Sequence, residues 1–237
     1  MKNIRSLSIF FPCYNDAGTI ASIVILADQI AKNITSNYEI IVVNDASFDS
    51  SKEILDLLKK NFKRLKVITH HKNKGYGGTL KTGFKYAQKE WIFYTDGDFQ
   101  YDVRELMKFA QVVDKKTQLI QGYKIKRHDP WYRIVIGNIY NFLVKIMFNL
   151  PYKDIDCDFR LIKKEVFKKI KLESNSGTIC VEMMLKFKQN NIRYKEIPVH
   201  HYVRSYETSQ FFNFKRIFNT GVALFKLYWN FLTHSQL

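Results

Sequence analysis

Short apolar runs alternate with amphipathic segments through the first half of the 237-residue chain. Runs such as 39–43 and 91–95 are continuous and rich in β-branched or aromatic residues, which predicts buried strands. The segment 50–62 places Ile54, Leu57 and Leu58 on one face, which predicts a helix. The predicted elements are strands at 7–11, 39–43, 66–69, 91–95 and 119–123 and helices at 19–32, 50–62, 79–89 and 103–113. This alternation predicts an α/β fold, a mostly parallel central sheet with helices on both faces.

The second half of the chain is less regular. A long apolar helix is predicted over 131–150 and an extended segment over 156–162. A strand is predicted over 192–202, where Pro198 indicates the edge of the sheet. A final helix is predicted over 211–232. We therefore expect a domain of residues 1–210 followed by a C-terminal amphipathic helix of residues 211–237.

The final helix combines a polar, basic arc with a broad apolar face. The arc carries Lys215, Arg216, Asn219, Lys226 and Asn230. This distribution is typical of a helix that lies on a membrane surface, and packing against the rest of the protein or a partner chain is the alternative. Because no run of about 18 apolar residues predicts a membrane-spanning helix, we expect peripheral association, directly or through a membrane partner protein.

The composition is strongly basic, with 38 Lys and Arg against 22 Asp and Glu and a net charge of +16. Such a charge attracts anions: nucleic acid, anionic lipid or phosphorylated substrates. The basic residues are spread along the chain without a recognised nucleic-acid-binding motif, so no nucleic-acid partner is expected. Three cysteines, far apart in sequence, argue against a disulfide framework and favour a reduced, cytoplasmic protein.

Polar residues and glycines follow each of the first four predicted strands. In a parallel sheet these strand ends lie at one edge, where ligands bind. Asp96 and Asp98 follow the strand at 91–95, and such oxygen ligands suit Mg²⁺ or Mn²⁺ in contact with phosphates. Tyr14 offers a ring for stacking, and Asp45 offers a carboxylate for base or ribose donors. Neither a Walker A loop nor a dinucleotide-binding fingerprint after the first strand is present, and the chemistry fits a nucleoside diphosphate.

Several motifs together resemble the inverting family-2 glycosyltransferases, namely FPCYND at 11–16, VVNDAS at 42–47 and DGD at 96–98. Four further segments resemble the polyprenyl-phosphate branch of that family: DFQ at 98–100, QGYK at 121–124, DCDFR at 156–160 and HYVR at 201–204. The chain departs from the usual pattern at Asp16, Asn44 and Glu207, where the family often has Glu, Asp and Gly. The resemblance implies a GT-A-type nucleotide-diphospho-sugar transferase fold and transfer from a UDP- or GDP-sugar to a polyprenyl phosphate.

The resemblance also implies roles for individual residues. A divalent cation, Mg²⁺ or Mn²⁺, would be held by Asp96, Asp98 and Gln100. The nucleotide sugar would contact Pro12, Tyr14, Asp16, Asp45, Lys74, Gly75, Asp96 and Gly97. The acceptor phosphate would be bound by Lys124, Arg127, Arg133, Arg160, Arg204 and Ser209. The residues assigned to catalysis are Asp98, Arg160, Arg204 and Glu182.

The acceptor determines whether a general base is required. A lipid monophosphate is mostly ionised at neutral pH, because its second pKa is about 6, and needs cationic partners instead of a base. A hydroxyl acceptor on a cell-surface glycan would require a base, for which Glu182 and Asp158 are the candidates. A non-catalytic nucleotide-sugar-binding protein is a further alternative. The leading hypothesis is a cytoplasmic enzyme bound peripherally to the inner face of the membrane.

Overall fold

The computed structural model describes residues 4–127, 130–203 and 214–234. Within them lie seven strands: β1 Leu7–Cys13, β2 Tyr38–Asn44, β3 Leu65–Thr69, β4 Trp91–Thr95, β5 Leu119–Arg127, β6 Phe159–Lys163 and β7 Tyr194–His201. The α-helices are α1 Ile20–Ile34, α2 Ser51–Asn61, α3 Gly75–Tyr86, α4 Leu106–Val112, α5 Trp131–Phe148, α6 Ile179–Gln189 and α7 Phe214–His234. Short 3₁₀ turns at Val103–Glu105 and Lys164–Lys168 precede α4 and follow β6.

The strands form one sheet in the order β3-β2-β1-β4-β6-β5-β7. Six strands run parallel, and β6 alone is antiparallel to its neighbours β4 and β5. Every residue of β1, β2 and β4 is buried, as expected of strands covered by helices on both faces. The predicted mostly parallel α/β sheet is therefore confirmed.

The core has two layers, one on each face of the sheet. The side chains of Phe10 and Phe11 enter different layers because successive residues of a strand point to opposite faces. Phe11 packs with residues of α1, α2 and α4, whereas Phe10 packs with residues of α3, α5 and α6. The helices therefore hold the sheet rigid from both sides and leave the ends of its strands accessible.

Several predicted boundaries differ from the structure by a few residues, and two of them are informative. Helix α3 begins at Gly75 and not at residue 79, so the predicted glycine-rich turn is the first turn of the helix. A Cβ atom on Gly77 would lie 2.4 Å from the carbonyl oxygen of Ser174, and that close backbone contact explains the glycine. Strand β6 begins at Phe159, three residues after the predicted start. Strand β7 lies at the sheet edge, as Pro198 predicted.

Helices α5 and α7 expose apolar side chains although they also pack on the core. On α5 the exposed apolar residues recur at helical spacing and include Val135, Ile136, Ile139, Phe142, Leu143 and Ile146. Helix α7 packs Leu224, Leu227, Tyr228 and Phe231 on the core and exposes Val222, Phe225, Trp229 and Leu232. None of the described helices is long and apolar enough to cross a membrane. We call the exposed apolar residues of these two helices the apolar surface.

Candidate active site

Loops after β1, β2 and β4 contact one another at one edge of the sheet. The Thr19 hydroxyl donates to the Gly97 carbonyl at 2.7 Å, and the Asn15 amide donates to the Ser47 hydroxyl at 3.0 Å. A Cβ atom on Gly97 would lie 2.7 Å from the carbonyl oxygen of Pro12, which is why a glycine separates the two carboxylates of this loop. The predicted convergence of the strand-end clusters is therefore seen in the structure.

Each of these loops contains a non-glycine residue in the left-handed region. The φ angles of Asn15, Ala46 and Phe99 are 58°, 58° and 61°. Such conformations are strained for side chains other than glycine and concentrate at functional sites, where surrounding contacts maintain them. The three turns reverse the chain directly beyond β1, β2 and β4 and gather their polar side chains over the sheet edge.

Asp96 and Asp98 are held in defined positions. The Asp98 carboxylate is buried and accepts a hydrogen bond from the Gln100 amide at 3.1 Å. Asp96 Oδ1 accepts a hydrogen bond from the Tyr76 hydroxyl at 2.7 Å. Among the described residues, no group of three or more His, Cys, Asp or Glu side chains forms a metal cluster. The two carboxylates fit Mg²⁺ or Mn²⁺, hard cations that keep positions for phosphate oxygens when a protein supplies few ligands.

Gln100 connects this loop to the end of β7. Its side-chain Nε2 donates to the Tyr202 carbonyl at 3.1 Å, and the Tyr202 amide donates to the Gln100 carbonyl at 2.8 Å. The side-chain oxygen Oε1 is the atom that a hard cation would use. The predicted role of Gln100 in the metal shell stays a prediction, and its observed role is to fix two neighbouring loops together.

Asp45 organises the segment between β3 and α3. Its Oδ1 lies 2.6 Å from His70 Nδ1 and accepts from the Lys74 amide at 2.8 Å, and its Oδ2 accepts from the Gly75 amide at 3.0 Å. Gly75 has a φ of 77°, which favours glycine at this turn. The Lys74 side chain is exposed. The predicted contacts of these three residues with a nucleotide sugar stay predictions, and Asp45 holds the loop in place.

Two aromatic rings stand beside the β1 loop. The ring centroids of Tyr14 and Phe48 are 6.0 Å apart in a T-shaped arrangement, and Phe48 is 79% exposed. Asp16 fixes the turn below them, since its carboxylate accepts from the Tyr14 amide at 2.9 Å. Sequence reasoning missed Phe48, although an aromatic residue within a polar loop was a usable signal. Aromatic rings of this kind are surfaces for stacking, and the predicted contact of Tyr14 with the nucleotide sugar stays a prediction.

Arg160 is held by partners inside the protein. Its side chain is fully buried and donates to Gln121 Oε1 at 2.6 Å, to Asp158 Oδ1 at 2.5 Å and to the Ile155 carbonyl at 2.5 Å. It also donates to the Tyr94 hydroxyl. These four bonds occupy most of its five guanidinium donors, so the observed role of Arg160 is structural, and its predicted contact with the acceptor phosphate stays a prediction.

The two candidate bases, Glu182 and Asp158, also form hydrogen bonds and ion pairs inside the protein. Buried Glu182 accepts from the amides of Glu173 and Ser174 at 2.8 and 2.9 Å and pairs with Lys186 Nζ at 2.7 Å. Its observed role is to support the loop before α6, and its predicted role in catalysis stays a prediction. Asp158 pairs with Arg160 and accepts from the Cys180 thiol at 3.2 Å.

The remaining predicted acceptor residues fall into three groups. Lys124 Nζ pairs with Asp154 at 3.1 Å and donates to the Asp156 carbonyl at 2.9 Å. Burial raises the pKa of Asp156 to about 7, although Lys124 opposes this effect. Arg127 ends β5 and Arg133 lies in the first turn of α5. Arg204 and Ser209 lie outside the described residues.

The fold is GT-A-like. It combines parallel βα units with the antiparallel strand β6 between β4 and β5, and it places a carboxylate pair after β4. Residues 8–171 match the profile of Glycosyl transferase family 2. The chain belongs to this family, which confirms the resemblance noted in its motifs.

Curated relatives share modest identity with the chain. The undecaprenyl-phosphate 4-deoxy-4-formamido-L-arabinose transferase of Edwardsiella ictaluri is 23% identical over 211 residues, covering 89% of this chain and 64% of the relative. The transferase of the same name from an Enterobacter species is 22% identical over 220 residues, covering 92% and 66%. The chain thus spans slightly less than two thirds of the length of these relatives.

Solved structures show the same fold. Glucosyl-3-phosphoglycerate synthase from Mycobacterium tuberculosis, in complex with Mn²⁺, UDP and glucosyl-3-phosphoglycerate, has a TM-score of 0.68 and 11% identity, covering 86% of this chain and 73% of that chain. The same enzyme with Mg²⁺ and UDP has a TM-score of 0.66 and 9% identity, with 86% and 73% covered. At such identity the likeness establishes the fold alone.

Proposed function

We propose that this protein transfers a sugar, with inversion and with the help of a divalent cation, from a nucleotide sugar to a polyprenyl phosphate. The observation that carries the proposal is the Asp96–Asp98 carboxylate pair beyond β4, on the same sheet edge as the Tyr14–Phe48 ring pair. Family membership supports sugar transfer, and the names of the curated relatives support a polyprenyl phosphate acceptor.

The donor end of the site would bind a nucleoside diphosphate. Tyr14 and Phe48 present rings to the base, and Asp96 and Asp98 hold the cation at the diphosphate. When bound, Mg²⁺ or Mn²⁺ neutralises the charge that develops on the leaving diphosphate. The absence of a side chain at Gly97 keeps this loop tightly packed on Pro12, so the two carboxylates stay in a fixed arrangement.

The acceptor is proposed to be a phosphate and not a hydroxyl. A hydroxyl needs a general base, and both candidates, Glu182 and Asp158, are committed to internal hydrogen bonds and ion pairs. A phosphate monoester arrives already ionised and attacks without giving a proton to the protein. Arg133, in the first turn of α5, is proposed to contact this phosphate.

We also propose that the protein works peripherally at the inner face of the membrane. The apolar surface of α5 and α7 has interfacial aromatic residues, including Trp131 and Trp229, both exposed. Such side chains are favoured where water meets lipid, and a net charge of +16 favours anionic bilayers. A lipid acceptor would then meet the site without leaving the bilayer.

The function is tested by following label from UDP- and GDP-sugars into short-chain polyprenyl phosphate in the presence of Mn²⁺. Transfer to the lipid is expected, with a loss of at least about 100-fold in Asp98→Asn because a charge at the cation is removed. Asp56→Asn, an exposed change on α2, is the matched control and should retain full activity. Transfer only to a hydroxyl acceptor, or nucleotide binding without any transfer, would contradict the proposal.

A further inference from the structure

Tyr76 joins helix α3 to one of the carboxylates proposed to hold the cation. It is the second residue of α3, and its hydroxyl donates to Asp96 Oδ1 at 2.7 Å. The phenolic O–H is the donor in this contact, since an ionised carboxylate only accepts. The hydrogen bond occupies one Asp96 oxygen and fixes the plane of the carboxylate.

The first turn of α3 is held from two directions. From the sheet, Asp45 accepts hydrogen bonds from the Lys74 and Gly75 amides, which directly precede Tyr76. From the other side, the Asn175 carbonyl accepts from the Gly77 amide at 3.0 Å, and a Cβ atom on Gly75 would lie 2.6 Å from that same oxygen. Tyr76 therefore projects from a turn whose backbone has little freedom to move.

The loop that presses on this turn is itself supported. The carboxylate of Glu182 accepts from the amides of Glu173 and Ser174, and Lys81 Nζ donates to Asn175 Oδ1 at 2.6 Å. A continuous set of contacts thus runs from α6 through this loop and the first turn of α3 to Asp96. Second-layer partners of this kind orient ligands and set metal affinity.

We propose that Tyr76 is a positioning residue that orients Asp96 for the divalent cation, an inference that rests on the proposed function. With Oδ1 held by this hydroxyl, the Asp96 carboxylate would keep one orientation when it binds a cation. Without the hydroxyl this carboxylate would be free to rotate and would be a less preorganised ligand for a cation. Loss of an outer-layer partner typically weakens metal affinity about 10- to 100-fold.

The test compares Tyr76→Phe with Tyr86→Phe, a half-exposed tyrosine at the other end of the same helix. Mn²⁺ affinity is measured by calorimetry in the presence of saturating UDP, and UDP affinity is measured separately without metal. Tyr76→Phe is expected to weaken Mn²⁺ binding about 10-fold or more. UDP affinity without metal should stay unchanged, and sugar transfer should recover as Mn²⁺ is raised. Tyr86→Phe should match the wild type.

The variant Tyr76→Met is measured in parallel, in case Tyr76→Phe does not fold. The same weakening of Mn²⁺ binding is expected of it. Mn²⁺ affinity within twofold of wild type in either folded variant overturns the proposal. An equal loss of metal-free UDP affinity also overturns it, because that result indicates a general disturbance of the site. Wild-type protein that binds no Mn²⁺ with UDP would instead refute the proposed function.

Discussion

Arg160 carries a positive charge into the protein interior, and Asp158 is its buried counter-ion. Breaking a buried pair from one side leaves an uncompensated charge, which costs about 3–5 kcal/mol. We therefore expect Arg160→Met to lower the free energy of unfolding by that amount in urea denaturation. Removing both charges, in Arg160→Met with Asp158→Asn, should recover part of the loss.

A matched control is available on the surface. Arg104 pairs with Asp102 at 2.7 Å, but 65% of the Arg104 side chain is exposed. Exposed pairs contribute little to stability, so Arg104→Met should leave the unfolding midpoint nearly unchanged. Equal effects of the two arginine substitutions would show that Arg160 is not the structural residue inferred from its burial.

Residue types alone could not separate Arg160 from a phosphate-binding arginine. Its motif is compatible with both roles, and only the packing of Tyr94 and Gln121 around the guanidinium distinguishes them. The same holds for Glu182, whose two backbone partners belong to the preceding loop and whose ion-pair partner Lys186 lies on α6. The position of Asp96 and Asp98 at the edge of the sheet was predictable because both closely follow a buried strand. Tyr76 was not, because its partner Asp96 lies on a different element.

At the scale of elements, two helical glycines have opposite surroundings. A Cβ atom on Gly77 would lie within 3 Å of three atoms of the loop at 174–176, whereas a Cβ on Gly221 would meet nothing within 4 Å. Alanine normally stabilises a helix by about 0.5–1 kcal/mol relative to glycine. Gly77→Ala should instead destabilise the protein by about 1–3 kcal/mol through overpacking, as measured by chemical denaturation.

Gly221→Ala is the control for that prediction and should raise the free energy of unfolding by about 0.5–1 kcal/mol. The same substitution is thus expected to act with opposite sign in α3 and α7. If Gly77→Ala stabilises the protein, the loop at 174–176 moves aside at little cost. Close contact with that loop is then not the reason why α3 begins with glycines.

Sequence patterns predicted most elements but not the start of α3 or the direction of β6. Strand β4 was predicted without error because its apolar run is short and sharply bounded. Glycines ordinarily interrupt a helix, and the loop that makes them necessary at α3 lies far away in sequence. The antiparallel direction of β6 depends on long-range pairing with β4, which no local pattern encodes.

For the whole molecule, the apolar surface predicts how the protein partitions between water and membranes. We expect the wild type to sediment with liposomes containing anionic lipid at low salt. Phe142→Glu combined with Phe225→Glu should abolish sedimentation, because each change places a charge on an apolar face that is more than 60% exposed at these residues.

Leu57→Glu provides the control, since Leu57 on α2 is similarly exposed, at 59%, but lies on the opposite face of the sheet. This variant should sediment like the wild type. Equal recovery of wild type in the supernatant with and without liposomes would contradict membrane binding. Loss of binding in all variants alike would show that charge, and not the apolar surface, controls association.

The order of strands in the sheet has a consequence for how the chain is made. Strands β1 to β4 pair among themselves, and β6 is the strand that joins them at the far edge of β4. We therefore expect the far edge of β4 to stay unpaired while residues 96–158 are synthesised. Strand β5 cannot cover it, because β5 pairs only with β6 and β7, which both follow it in the chain. An open edge is a template for association between chains. A nascent or truncated chain that ends before β6 would therefore expose this edge of β4 directly beside Asp96 and Asp98.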